Sequence, residues 1–158
     1  MTRRISQYIL LLCLLLICSC DRTLYHSFYS VDDEWLPCDT IRFYVSEPIY
    51  SWHECRADVE LRCNTQYPYK DLWLHVEARL SNDSIISSDT LCCELFDEYG
   101  KQIGTTAGLL YQTEFTFAYL ELEGIDTLCI NVSHLMNKAV VGVKDVGLRL
   151  SACDLHQP

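Results

Sequence analysis

From about Asp39 onward, apolar and polar residues alternate with a period of two, the pattern of half-buried strands. The segment "DLWLHVEARL" shows it most clearly. Leu72, Leu74, Val76, Ala78 and Leu80 fall on one face, and Asp71, Trp73, His75, Glu77 and Arg79 on the other. Ile41, Phe43 and Val45 likewise oppose Arg42 and Tyr44, while Val59, Leu61 and Cys63 oppose Asp58, Glu60 and Arg62. Further apolar rows are Leu91, Cys93 and Leu95; Phe115, Phe117 and Tyr119; Leu128, Ile130 and Val132; and Val146, Leu148 and Leu150. The pattern predicts about seven strands. Turn formers separate them at Pro48, Gln66–Tyr69, Ser81–Asp83, Asp97–Gly100 and Gly124. Only "VSHLMNKAV" reads as a short helix, too short to stand alone. Frequent turns without crossover helices predict an all-β fold, a single antiparallel β-sandwich of jelly-roll or Ig-like type. Residues 21–37 carry weak periodicity and read as a tether that ends by packing Trp35 on the domain.

The N-terminus follows a different rule. Arg3 and Arg4 precede an apolar run of ten residues, Tyr8 to Ile17. A bilayer crossing needs about 20 helical residues, so this run fits the core of an export signal instead. Its end, "LICSC", resembles a bacterial lipobox: an aliphatic residue, two smaller ones, then the cysteine that receives diacylglycerol. Cys20 is therefore the candidate lipid attachment site. Cys18 is a poorer one, because Ile17 would occupy the cleavage position where a small side chain is needed. Each acyl methylene contributes about 0.8 kcal/mol to membrane binding. The domains expected are a lipoprotein signal peptide over 1–19, a lipid anchor and tether over 20–37, the β-sandwich over 38–153, and a C-terminal tail over 154–158.

Charge and cysteine usage narrow the function. Loss of the leader removes Arg3 and Arg4 and no acid, moving the net charge from −10 to −12. So acidic a body repels nucleic acid, which is excluded as a partner. Seven cysteines remain beyond the anchor: Cys38, Cys55, Cys63, Cys92, Cys93, Cys129 and Cys153. In an exported chain cysteines read as disulfide pairs, and an odd number leaves one over. No C-x-x-C occurs, so no metal is expected. Adjacent strand residues face opposite ways, which places Cys93 inside and Cys92 outside. No nucleophile, metallohydrolase or phosphate-loop motif is present, and no catalytic residue or cofactor is assigned.

Taken together, the lipobox, "CDRTLY", Trp35 with "DTIRFYV", "LRCNTQYPYKDLWLHVEARL", "DTLCCELFDEYGKQIGTTAG" and "GVKDVGLRL" resemble the gliding-motility lipoprotein GldH family of the Bacteroidetes. The resemblance runs from the lipobox almost to the C-terminus. It implies a non-enzymatic envelope lipoprotein, an accessory of gliding and type IX secretion-related machinery. It implies attachment to the membrane by acyl chains, at the outer membrane facing the periplasm, beside an envelope protein partner. Exported proteins of that phylum are O-glycosylated at Asp-(Ser/Thr)-aliphatic triplets, which makes Thr40, Ser84, Thr90 and Thr127 candidates. Three of these sit at expected strand starts; Ser84, in a turn, is the favoured acceptor. Trp52, Tyr67, Tyr69 and Trp73 cluster around the clearest strand and form the candidate partner surface. The alternative is that these rings bind a glycan, in a lipoprotein of polysaccharide uptake or surface attachment.

Overall fold

A computed structural model describes residues 22–46 and 53–153. They form eleven strands and no helix: β1 Thr23–Ser30, β2 Glu34–Trp35, β3 Ile41–Val45, β4 Glu54–Cys63, β5 Asp71–Leu80, β6 Ile85–Glu94, β7 Thr105–Ala107, β8 Leu110–Glu121, β9 Leu128–His134, β10 Val140–Val141 and β11 Val143–Ala152. A five-stranded sheet runs β1-β11-β4-β8-β7, a four-stranded sheet runs β3-β9-β5-β6, and β10 pairs with β2. Every pairing is antiparallel. The two larger sheets share one core in a sandwich-like arrangement. Val59, Leu61, Val146 and Leu148 come from one sheet, and Leu72, Leu74, Val76 and Ile130 from the other.

All seven strands read from the alternation are present, as β3, β4, β5, β6, β8, β9 and β11. The expected total of seven is nevertheless too low. Three of the additional strands are two or three residues long, below the length at which a period can be read. The fourth, β1, occupies the segment read as a tether. It pairs with β11 from Thr23↔Ser151 to Ser30↔Asp145. Its alternation is weak because much of both faces is half-covered. On the outer face the Phe28 ring lies under the Arg62 guanidinium, 3.6 Å from centroid to carbon. Phe28 also fills the space that a side chain at Gly147 would take. Trp35 packs into the core, 2% exposed, as expected.

Two further expectations are corrected. "VSHLMNKAV" is not a helix: it holds the end of β9, a turn and β10. The His134 ring fixes that turn, taking the Met136 N–H on Nδ1 at 3.2 Å and donating from Nε2 to the Trp35 carbonyl at 3.1 Å. The row Phe115, Phe117, Tyr119 also breaks. A bulge opposite Ala57 and Asp58 leaves Phe117 without a register partner. Beyond it the faces exchange, so Leu120 and Leu122 are buried and Tyr119 is 63% exposed.

Candidate functional site

Cys20 and Trp52 lie outside the described residues, so the geometry concerns the other three candidate rings. Tyr67 is buried, and its hydroxyl donates to the Asp71 carbonyl at 2.6 Å. Burial pushes its pKa up. Tyr67 stacks with Phe96 at 6.5 Å and meets Tyr69 edge-on at 5.8 Å. Tyr67 is thus a structural ring that orients its neighbours. Tyr69 is 40% exposed and lines a hollow of about 350 Å³ with Pro68, Lys70, Phe96 and Asp97.

Trp73 sits on the outer face of β5, 43% exposed, opposite Cys92 of β6. Its carbonyl accepts the Leu135 N–H at 2.8 Å, which brings a second exposed apolar residue beside it. Among the described residues no ring contact joins Trp73 to either tyrosine. The structure therefore divides the candidates into a hollow around Tyr69 and an open sheet face carrying Trp73 and, on β3, Tyr44. Between Tyr44, Arg42, Arg79, Cys129 and Asn131 that face has a second hollow, of about 220 Å³. Arg79 is engaged there by Glu77 at 2.9 Å and Asp83 at 3.1 Å.

The outer face of the five-stranded sheet is of another kind, and the alternation pattern misread it. Asp58 and Glu60 were expected on a wet face, yet both are buried. Arg56 Nε and the Thr116 hydroxyl each donate to Asp58 at 2.8 Å. Glu60 takes His26 Nε2 at 2.8 Å and the Gln112 amide at 3.3 Å, with Arg149 Nε 3.5 Å away. Arg149 also pairs with Glu114. The buried acids are thus held by hydrogen-bond partners, as buried polar groups require. The sequence signal was the run of charges at alternate positions, Arg56, Asp58, Glu60 and Arg62. What conceals it is β1, which was not expected there.

His75 bonds Glu77 at 3.2 Å on the outer face of β5. The Arg79 hydrogen bond is the main cause holding the Glu77 carboxyl below its ordinary range. Among the described residues no disulfide closes, against the pairing expected of an exported chain. Cys55, Cys63 and Cys93 are buried in the core, while Cys38 and Cys92 are exposed. Desolvation pushes the Cys55 and Cys63 thiols up to about 12. Ser84 is exposed in the β5–β6 turn, and Thr90 is exposed in the middle of β6 rather than at a strand start. Thr40 and Thr127 are half-buried. Among the described residues no group of three or more histidine, cysteine or acidic side chains converges to hold a metal.

The family model for the GldH lipoprotein matches residues 23–150. That span runs from the first residue of β1 to Leu150 in the last strand. The chain belongs to the GldH lipoprotein family. Its membership accounts for the order of features from "TLY" to "GVKDVGLRL", and lipoprotein membership points to attachment at a membrane of the envelope. No curated protein matches it.

Solved structures give only distant likenesses to this GldH-family chain. One is a family GH115 4-O-methyl-alpha-glucuronidase with specificity for decorated arabinogalactans, at 9% identity and TM-score 0.46, over 82% of this chain and 18% of that one. Another is the VP2 subviral particle of infectious bursal disease virus, at 10% identity and TM-score 0.38, over 84% and 34%. A third is dimeric latent PorU from Porphyromonas gingivalis, at 9% identity and TM-score 0.34, over 85% and 14%. The chain thus spans about a third or less of these proteins' lengths.

Proposed function

We propose that this chain is a non-enzymatic accessory lipoprotein of gliding or type IX secretion-related machinery in a Bacteroidetes envelope. Acyl chains on Cys20 hold it at the outer membrane, facing the periplasm, and the outer face of the four-stranded sheet docks a protein partner. Family membership supports the anchored part of this reading. The observation that carries the docking part is Trp73, the exposed tryptophan among the described residues, on the outer face of the four-stranded sheet. On the five-stranded sheet the central charges are spent on one another, with Asp58 and Glu60 buried in the network. On the four-stranded sheet Trp73 and Tyr44 stand 43% and 65% exposed, with Leu135 beside Trp73. Exposed aromatic residues are the side chains that most often anchor protein interfaces.

The test is crosslinking in living cells, capture of the tagged chain and mass spectrometry of what accompanies it. One or two envelope proteins at high yield are expected, and their yield falls in the Trp73→Ala variant while the fold is unchanged. Recovery of no protein, together with a positive glycan array, replaces this reading with the glycan-binding one. The hollow beside Tyr69 is where a sugar ring would then stack.

A further inference from the structure

The position of β1 fixes more than the edge of a sheet. Only Asp21 and Arg22 separate Cys20 from Thr23. The sheet pairing has already begun at Arg22, whose carbonyl accepts the Ala152 N–H at 2.9 Å. An extended chain spans at most about 3.6 Å per residue, so Cys20 lies within roughly 11 Å of Thr23. If Cys20 is acylated, the folded domain begins almost at the headgroups, with no tether to carry it away.

The register shows which end of the domain that is. Thr23 pairs with Ser151, Cys55 with Ala152 and Leu120, and Glu54 with Glu121. The Leu122–Ile125 turn follows, closed by the Ile125 N–H on the Leu122 carbonyl. Leu128 pairs with Val45 and Leu80, which brings the Ser81–Asp83 turn to the same end. From there β4 runs ten residues to the opposite end. At about 3.3 Å per residue that distance is roughly 30 Å. At the far end lie the Tyr69 hollow and Tyr99, which is 88% exposed.

We propose that the domain stands on the membrane on its β1 end. The Leu122–Ile125 and Ser81–Asp83 turns rest against a layer of zwitterionic phospholipid headgroups, and the Tyr69 end is presented away from the bilayer. This rests on acylation at Cys20. The occupant follows from where the chain leading to the anchor ends and from charge. Glu121, Glu123 and Asp126 are exposed at this end against Arg22, with Asp83 paired to Arg79, so the balance is acidic and anionic headgroups are repelled. The same acidity means the surface does not adhere unaided: the shortness of the link alone holds it down. A partner of the domain must then work within a few nanometres of the same membrane.

The experiment uses the full chain matured in cells, with a photo-reactive benzoylphenylalanine in place of Glu123 or of Tyr99. After irradiation, lipid adducts are read by mass spectrometry, together with the acyl group on the N-terminal peptide. Lipid adducts are expected from position 123 and not from position 99. A Gly/Ser insert of about 15 residues between Asp21 and Arg22, averaging roughly 21 Å end to end, removes the adducts at 123 and leaves acylation intact. Equal adducts at both positions, none at 123 in an acylated chain, or adducts at 123 that survive the insert overturn the standing orientation alone. An N-terminal peptide without acyl groups overturns it together with the anchored reading.

Discussion

Asp58 and Glu77 are both acids beside an arginine, yet their surroundings set very different consequences. Asp58 is fully buried, held by Arg56 and Thr116. Its replacement removes the acceptor of both bonds while Arg56 keeps Glu114 3.7 Å away, so Asp58→Ala is expected to cost about 1–3 kcal/mol in urea denaturation. Glu77→Ala, on a wet face, is expected to cost no more than about 1 kcal/mol. The Arg79 hydrogen bond depresses the Glu77 pKa below the ordinary 4.5. A depressed carboxyl contributes its stability above the unfolded value and loses it as pH falls through the folded one. The stability gap between the native chain and Glu77→Gln should therefore close as pH drops below 4.5; a gap that widens there contradicts the assignment. The thiols divide in the same way. Maleimide should modify Cys38 and Cys92 in the folded protein, and Cys63 and Cys93 only after unfolding, as peptide mapping would show. At this scale the sequence was readable where a residue's neighbours lie in its own strand. The placement of Cys92 and Cys93 followed from alternation alone. The burial of Glu60 did not, because His26 and Arg149, which meet it, come from strands far away in sequence.

The same limit governs the elements. The interior strands β4, β5, β9 and β11 announce themselves because each pays for a buried row with Val, Ile and Leu at every second position. β1 does not, since an edge strand covers part of a charged face and is half-covered on both sides. The bulge at Phe117 adds one residue to β8, and no turn signal marks it. Gly142 shows how a connection is fixed. Its φ of +87° and the Tyr67 backbone nitrogen, 2.3 Å from where a Cβ would sit, both require glycine. Gly142→Ala is expected to destabilise the fold by about 2 kcal/mol or more. It should also displace Tyr67, seen as a change in the tyrosine near-ultraviolet dichroism. A neutral substitution would mean that the β10–β11 junction does not pack on Tyr67.

On the scale of the whole molecule, the two outer faces differ in what they expose. One buries Asp58 and Glu60 in ion pairs and exposes Tyr119; the other pairs Glu77 with Arg79 and exposes Trp73, Tyr44 and Leu135. Of the four rings expected to act together, Tyr67 proved to be part of the core, because a hydroxyl donor to the Asp71 carbonyl lets a tyrosine be buried. Composition cannot separate a ring of that kind from an exposed one. Cys20→Ala should yield an unprocessed or soluble chain on fractionation, whereas normal membrane partition would sink the lipoprotein reading. The docking claim is tested most directly by a photo-reactive residue in place of Cys92, the exposed cross-strand neighbour of Trp73, compared in living cells with one in place of Tyr29 at the β1 edge. A discrete adduct with an envelope protein is expected from position 92 and none from position 29. An adduct from position 29 alone, or no protein adduct from position 92, contradicts the docking claim.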